Sequence, residues 1–197
     1  MFPFPPQFNN PNQVFNFNNF LSKKEISQIK KLIKPLPYEK GEVYTKDKDE
    51  VISSTRISQV KWIPQNQTYE WLYNKLIEKI QMANSISYKF DIVGALENIQ
   101  YTEYNADVKG HYGWHIDLGK GYSCFRKISM SILLSNPKEF EGGDLELHNF
   151  DKDVPSAVLK GLGTMTIFPS YMPHRVTPVT KGERKSLVLW VGGSTFK

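Results

Sequence analysis

Apolar residues recur at helical spacing in two segments of the N-terminal half. The first helix is predicted to follow Ser22-Lys23-Lys24-Glu25, which has the spacing of a capping box that satisfies the first free amides of a helix. Its apolar face is formed by Ile26, Ile29, Leu32 and Ile33. The second helix is predicted over Gln67 to Ile86, where the apolar residues at helical spacing are Trp71, Leu72, Leu76, Ile77 and Ile80.

From Phe90 onward the pattern changes to short apolar or alternating runs separated by Gly, Pro, Asn and Asp. The predicted strands cover 92–104, 111–116, 126–135, 144–149, 158–168, 174–177 and 186–192. Short strands behind two helices predict a mainly β fold, a double-stranded β-helix (jelly roll) with the two N-terminal helices packed on one sheet. The predicted organisation is a Phe/Asn/Pro-rich arm over 1–20 and one domain over 21–197, with support helices in 21–90 and the β-helix in 91–197.

Length, charge and cysteine content narrow the function classes. The chain has 197 residues, enough for one domain with a real core. One cysteine, Cys124, excludes an intramolecular disulfide framework and is typical of a reducing compartment, so a cytoplasmic location is expected. Neither a signal peptide nor an apolar span long enough for a bilayer is recognisable, so no membrane partner is expected. The net charge is +5, but the lysines are scattered among acids, which argues against nucleic acid.

The four histidines allow few metal-ligand sets. In His115-Ile116-Asp117 the outer residues are two apart, so on an extended strand their side chains point to the same face. His174 opens a later predicted strand that could return beside the first. Two imidazoles and one carboxylate make the facial triad that leaves open positions on Fe(II), whereas a closed structural zinc site needs further ligands that are not evident here.

Arg184 is the candidate partner for an acidic cosubstrate. It follows His174 by ten residues across a turn signal at Thr180-Lys181-Gly182, so it could begin a strand beside the metal. Its guanidinium can pair bidentately with a carboxylate, and Ser186, on the same strand face, could donate a hydroxyl to that carboxylate. The alternative is a surface arginine in a basic turn. Trp190 shares this face and either lines the pocket or fills the core.

From about Tyr101 to Gly193 the chain resembles the prolyl/lysyl hydroxylase-type (prolyl 4-hydroxylase-like) branch of the Fe(II)/2-oxoglutarate oxygenases. The matching pieces occur in the family's order and spacing: His115-Ile116-Asp117, Arg126-Lys127-Ile128-Ser129, Glu141-Gly142-Gly143-Asp144-Leu145, Phe168-Pro169, His174-Arg175-Val176 and Arg184-Lys185-Ser186. The segment Arg56-Ile57-Ser58 through Trp62 resembles that branch more loosely.

The resemblance implies specific roles for these positions. His115, Asp117 and His174 become the Fe(II) ligands, and Arg184 anchors 2-oxoglutarate. Tyr104 becomes the phenol that hydrogen-bonds this cosubstrate, with Tyr101 and Tyr112 as competitors. Dioxygen is the second cosubstrate, and ascorbate is a candidate reductant.

The expected function is hydroxylation of an unactivated C–H bond, with a prolyl residue in a peptide or protein as the preferred substrate. A free amino acid or other small molecule is the alternative substrate, and a non-catalytic jelly-roll binding module is the alternative from another class. The loops at 37–55 and 118–125 are expected covers, because the reaction must be screened from water. The sequence leaves the oligomeric state open.

Overall fold

The computed structural model describes residues 11–41, 55–148 and 154–195. Within these ranges the helices are α1 (Lys23–Leu32) and α2 (Glu70–Ala83), with a π-helical turn at Asn84–Tyr88 and 3-10 turns at Ala106–Val108 and Gly121–Phe125. The strands are β1 (Phe15–Phe17), β2 (Glu39–Lys40), β3 (Arg56–Ile57), β4 (Gln59–Ile63), β5 (Ile92–Ala95), β6 (Ile99–Asn105), β7 (His111–His115), β8 (Arg126–Leu133), β9 (Glu141–Gly142), β10 (Leu145–Leu147), β11 (Ser156–Ala157), β12 (Met165–Pro169), β13 (His174–Val176), β14 (Val179–Lys181) and β15 (Glu183–Gly193). No helix in these ranges is long and apolar enough to cross a membrane.

Helix α1 begins with the predicted capping box. The Ser22 hydroxyl accepts from the Glu25 N–H at 3.3 Å, and the Glu25 carboxylate accepts from the Ser22 N–H at 2.8 Å. These contacts satisfy amides that have no partner inside the helix. Ile26 and Ile29 then bury one face of the helix.

Helix α2 is shorter than the predicted Gln67–Ile86. It begins only at Glu70, because Asn66 first forms a turn in which its side chain accepts from the Thr68 N–H and its carbonyl from the Tyr69 N–H. After Ala83 the backbone changes to the π-helical turn, which ends where Lys89 takes a left-handed conformation at φ 56°. Local side-chain and backbone hydrogen bonds therefore set both ends.

The strands form the predicted double-stranded β-helix. An eight-stranded antiparallel sheet has the order β1-β12-β8-β15-β6-β4-β2, with β5 paired to β15 beyond the end of β6. A five-stranded sheet has the order β11-β10-β13-β7-β3, and β14 pairs with β9 separately. The mainly β prediction with two supporting helices is confirmed.

Some predicted strands differ in extent from the observed ones. The run 92–104 is two strands, β5 and β6, and Gln65 donates to the carbonyls of Ala95 and Glu97 where the sheet is interrupted. The run 158–168 is a strand only from Met165, because Gly161 and Gly163 form a turn in which the Gly161 carbonyl accepts from the Thr164 N–H.

Two segments outside the predicted strands also contribute strands to the large sheet. Phe15–Phe17, from the Phe/Asn/Pro-rich arm, pair with Met165–Ile167 at the edge of the large sheet. The predicted cover 37–55 contains β2, and its residues 42–54 lie outside the described residues. The division into an arm over 1–20 and a domain over 21–197 stays a prediction.

Strand β15 separates the hydrophobic core from the interior between the sheets. Leu187, Leu189 and Val191 point to the core that the large sheet shares with α1 and α2. The alternate residues face a cavity on the other side of the sheet: Arg184, Ser186, Val188 and Trp190. The helices therefore support the sheet from behind and leave its other face free for chemistry.

This arrangement predicts that the buried side chains of α2, and not the exposed side chains near its end, stabilise the folded domain. Ile80→Ala, at a fully buried position, should lower the free energy of unfolding by ~2–5 kcal/mol, because it removes core contacts and leaves a cavity. The control Ile86→Ala, at a 60% exposed position in the π-helical turn that follows α2, should change it by no more than about 0.5 kcal/mol. Urea unfolding followed by circular dichroism measures both, and equal losses would contradict the assignment of this helix to the core.

Candidate active site

Three ligand-type side chains converge at one end of the small sheet. His115 is the last residue of β7, and His174, the first residue of β13, lies directly opposite it in the antiparallel register. Asp117 follows two residues after His115, and one ligand atom from each of the three residues lies within 4.8 Å of the others. The predicted return of the His174 strand beside the His115 strand is therefore observed.

Asp117 is placed by a loop and not by the strand that the spacing suggested. Strand β7 ends at His115, and the Asp117 N–H donates to the Ser170 carbonyl at 2.9 Å. The Asp117 carboxylate is held from the other side by the Ser129 hydroxyl, which donates to Oδ2 at 2.6 Å. Loop and side-chain contacts together orient the carboxylate toward the imidazoles.

Both imidazoles present the same nitrogen to the centre of the cluster. His115 Nδ1 lies 2.8 Å from the Gly113 carbonyl oxygen, and His174 Nδ1 lies 2.9 Å from the Met172 carbonyl oxygen. A carbonyl can only accept, so each Nδ1 carries a proton, and Nε2 is the nitrogen through which each ring can bind a metal. The Nε2 atoms lie 3.6 Å (His115) and 3.4 Å (His174) from the Asp117 carboxylate oxygens.

The protonation states of these groups suit a cation. Burial lowers the pKa of the His174 imidazole to about 4, against the opposing effect of Asp117. Burial alone would raise the pKa of the Asp117 carboxyl, but the neighbouring imidazoles and the Ser129 hydroxyl outweigh it and hold that pKa well below its usual range. Near neutral pH His174 is thus neutral and Asp117 is charged, as metal ligands must be.

Arg184 lies in the same cavity and is almost fully buried. Its side chain is 4% exposed, and Nη1 donates to the Ser186 hydroxyl at 2.9 Å. Tyr104 of β6 lies opposite Arg184 of β15 in the sheet. The Arg184 guanidinium carbon lies 5.5 Å from the centre of the Tyr104 ring. Arg184 has no carboxylate within ion-pair distance in the described part of the chain. A surface position, the alternative from the sequence, is wrong.

Gly143 allows the chain to pass directly over Arg184. Gly142 and Gly143 take left-handed conformations at φ 71° and 58°, as expected for a turn into a strand. A Cβ at Gly143 would come within 2.9 Å of Arg184 Cδ, closer than real Cβ contacts allow. The Glu141-Gly142-Gly143 motif therefore also covers the arginine stem.

The three candidate tyrosines occupy different environments. Tyr104 and Tyr112 line the cavity, whereas Tyr101 packs in the core on the helix side and donates its hydroxyl to Glu103. Tyr112 stacks on the His115 ring, with ring centres 3.5 Å apart. Tyr104 is thus the candidate beside Arg184, and Tyr112 is the candidate beside the metal ligands.

The cavity that joins these groups lies between the sheets and has a volume of about 780 Å³, ample for a small cosubstrate and part of a substrate. Gly119, Lys120, Tyr122 and Ser123, in the second predicted cover, line it. His148 and Cys124 do not line it, and His115, Asp117 and His174 are the one metal-type cluster found among the described residues.

Sequence reasoning assigned no role to Arg126, which lines the cavity, or to Ser129, which holds the Asp117 carboxylate. Arg126 forms a bidentate ion pair with Glu97, both contacts at 2.6 Å, and its guanidinium lies 3.9 Å above the Trp190 ring. Trp190 lines the cavity, and its Nε1 has no hydrogen-bond partner among the described residues. Ser129 could have been noticed as one of two serines, with Ser131, that alternate with the apolar residues Ile128, Met130 and Ile132.

The donor set itself fits Fe(II). Two imidazoles and one carboxylate bring their ligand atoms within 4.8 Å of one another, and all three residues line the cavity. This is the facial triad of non-haem iron oxygenases, which leaves coordination positions for small ligands. Backbone carbonyls on both Nδ1 atoms and the Ser129 hydroxyl on Asp117 supply the surrounding hydrogen bonds that such ligands need.

The sequence is similar to known oxygenases through its C-terminal half. The family model of the 2OG-Fe(II) oxygenase superfamily matches residues 99–192. A PKHD-type hydroxylase of Hyphomonas neptunium is 43% identical over 84 residues, which are 41% of this chain and 37% of that protein. A PKHD-type hydroxylase of Nitrosomonas europaea is 36% identical over 88 residues, again 41% of this chain and 37% of that protein. The matched segments thus span little more than a third of these curated relatives.

Solved structures share the fold over almost the whole chain. A prolyl-4-hydroxylase from Pseudomonas putida superimposes with a TM-score of 0.71 at 17% identity, covering 93% of this chain and 94% of that one. A prolyl hydroxylase from Trichoplax adhaerens, in complex with a hypoxia inducible factor oxygen degradation domain peptide fragment, gives a TM-score of 0.72 at 19% identity, covering 92% and 84%. Residues 99–192 therefore match the 2OG-Fe(II) oxygenase superfamily, and the chain has the fold of these two solved prolyl hydroxylases.

Proposed function

We propose that this protein is an Fe(II)- and 2-oxoglutarate-dependent dioxygenase that hydroxylates an unactivated C–H bond. The observation that carries the proposal is the cluster of His115, Asp117 and His174 in one cavity with the buried Arg184. The match of residues 99–192 to the superfamily model supports it. A non-catalytic binding module would have no need for a buried carboxylate between two imidazoles, since such a group is costly unless it is paired or ligates a metal.

Each residue of the cavity has a defined task in this proposal. His115, Asp117 and His174 hold Fe(II), which, when bound, supplies oxidation by dioxygen: one oxygen atom enters the substrate C–H bond and the other enters the succinate formed as 2-oxoglutarate loses carbon dioxide. Arg184 binds the distal carboxylate of 2-oxoglutarate, with the Tyr104 hydroxyl as a further donor. The Ser186 hydroxyl orients the Arg184 fork by accepting from Nη1, and it can itself donate to the same carboxylate, as predicted from the sequence. Ser129 fixes the rotamer of Asp117.

The preferred substrate is a prolyl residue in a peptide or protein. This preference is supported by the PKHD-type hydroxylases with similar sequences and by the prolyl hydroxylases with the same fold, one of them in complex with a peptide fragment. A free amino acid is the alternative, because the cavity is large enough for either. The roles assigned to the cavity residues are the same for either substrate.

The reaction itself is tested by mass spectrometry. Purified protein with Fe(II), ascorbate and 2-oxoglutarate should add one oxygen atom to members of a panel of proline-containing peptides and free amino acids. Product should form only when 2-oxoglutarate is present, and succinate should appear in step with it. A panel without any oxygen gain and without succinate would argue against the oxygenase assignment.

The metal site predicts a spectroscopic signal that needs no substrate. Under anaerobic conditions Fe(II) and 2-oxoglutarate should give the weak visible charge-transfer band of a chelated 2-oxo acid. His174→Ala should abolish the band, because the facial set loses an imidazole. His148→Ala, which removes a histidine outside the cluster, is the control and should leave the band intact. A band that survives in His174→Ala would remove this residue from the ligand set.

The cosubstrate site predicts a selective loss of affinity. Arg184→Ala should raise the KM for 2-oxoglutarate by about 10- to 100-fold, the effect of losing a charge-assisted hydrogen bond in a buried site. Arg184→Lys keeps the charge without the planar fork and should cause a smaller rise. Steady-state succinate formation measures both values. If the KM of Arg184→Ala equals that of the unmodified protein, the cosubstrate is bound elsewhere.

A further inference from the structure

Arg56 is one of three arginines that line the cavity, with Arg126 and Arg184, and the proposed reaction gives it no task. It lies in β3 at the edge of the small sheet, opposite Tyr112 of β7. Its guanidinium lines the cavity and is only partly exposed. A charge in such a position interacts more strongly with a bound ion than a charge on the open surface does.

The neighbours of Arg56 are neutral and hold its guanidinium in one orientation. Nε donates to the Ser58 hydroxyl and Nη2 to the Gln100 side-chain oxygen, both at 2.8 Å. The guanidinium lies 4.7 Å from the centre of the Tyr112 ring. On another side the backbone at Gly41 passes so close that a Cβ there would collide with Arg56 Nε. These contacts leave N–H donors of the guanidinium unused, because it carries more donors than the two acceptors take.

Arg56 differs from the arginines that have a carboxylate partner. Arg126 pairs with Glu97 and Arg175 with Glu146, whereas Arg56 has no carboxylate within 4.0 Å in residues 11–41, 55–148 and 154–195. Only Arg184 shares this property among the four arginines, and it is assigned to 2-oxoglutarate. An oriented, partly buried arginine without a counter-ion is suited to an anionic ligand.

The position of Arg56 relative to the metal ligands limits where that anion can be. The Tyr112 ring contacts both groups: its centre lies 4.7 Å from the Arg56 guanidinium carbon and 3.5 Å from the centre of the His115 ring. The guanidinium and the His115 ring are therefore separated by no more than about two residues of extended peptide, at ~3.3–3.6 Å per residue. A group held at Arg56 is thus close enough to belong to the substrate whose C–H bond faces the metal site.

We propose that Arg56 binds a carboxylate of the substrate and thereby selects for it. The inference rests on the proposed function, which it deepens by naming the substrate class: a proline derivative with a carboxylate within about two residues of the target ring. The carboxylate is supplied either by the free α-carboxyl group of an amino acid or by an acidic side chain in a peptide. Planar, bidentate pairing with the guanidinium fork serves both.

The test compares ligand pairs that differ only in the carboxylate. The pairs are L-proline with L-prolinamide, and blocked Gly-Pro-Asp-Gly and Gly-Asp-Pro-Gly peptides with their Asn counterparts. Binding to the protein loaded with Mn(II) and 2-oxoglutarate, which avoids turnover, is measured by calorimetry. At least one carboxylate ligand should bind about tenfold or more tightly than its amide counterpart. The pair that shows the contrast identifies the source of the carboxylate.

Variants then assign the contrast to Arg56. Arg56→Gln should reduce it to nearly onefold while leaving the amide ligand's affinity and the affinity for 2-oxoglutarate almost unchanged, a pattern that a merely structural role for Arg56 would not produce. Arg56→Met, which keeps the side-chain length over Tyr112, replaces it if the Gln variant does not fold. Lys24→Gln, an exposed lysine on α1, controls for net charge and should keep the contrast.

Defined results would overturn the inference. The inference is wrong if the two ligands of every pair bind equally, or if none of them binds. It is also wrong if the carboxylate preference survives in Arg56→Gln, or if it disappears only in Lys120→Gln at the cavity wall. The proposed function is judged separately. Hydroxylation without any carboxylate preference contradicts only the role of Arg56, whereas a carboxylate preference without hydroxylation contradicts only the dioxygenase assignment.

Discussion

The antiparallel pairing of β7 with β13 is the constraint on which the candidate site depends. It places His174 opposite His115, so two imidazoles that are far apart in sequence meet at the end of one sheet. The third ligand, Asp117, lies two residues after His115, just beyond the end of the strand. It is positioned there by the Ser170 carbonyl, which accepts a hydrogen bond from the Asp117 N–H. Ser170 precedes β13 by only a few residues, so the same connection that delivers His174 also positions Asp117. One strand pair and its preceding loop therefore define the whole metal cluster.

Strand β15 adds the second requirement, a charged group buried beside the metal cluster. Its alternation puts leucines against the helices and Arg184 with Ser186 into the cavity. A buried guanidinium without a carboxylate is unfavourable for the folded state, and neutral contacts to the Ser186 hydroxyl and the Tyr104 ring compensate only part of that cost. The large sheet and the helices behind it must supply the remaining stability. Such an arrangement is expected where a ligand completes the charge balance.

The sequence predicted those features that depend on local periodicity or on residue type. The capping box of α1, the two helices, the β-rich second half and the candidate cluster follow from spacing and from the scarcity of histidine. Features that depend on particular side-chain hydrogen bonds, or on contacts between residues distant in sequence, could not be predicted. The π-helical turn after α2 reflects reciprocal hydrogen bonds between Asn84 and Phe90, and the strand at Phe15–Phe17 exists because the edge of β12 is available for pairing. The strand periodicity also suggested that Asp117 continues β7, whereas a loop contact orients it.

The distribution of charge within the cavity separates its tasks. Arg126 is neutralised by Glu97 and packs over Trp190, so it contributes shape and rigidity more than net charge. Asp117 is surrounded by imidazoles that could share a cation with it. Arg184 and Arg56 are the two cavity arginines without a carboxylate partner in the described chain, one beside Tyr104 and the other beside Tyr112. Because the two guanidiniums contact different rings, a dicarboxylate cosubstrate at Arg184 and a substrate carboxylate at Arg56 can be bound at the same time. Each carboxylate then neutralises one of the two arginines, neither of which has a carboxylate partner within the described protein.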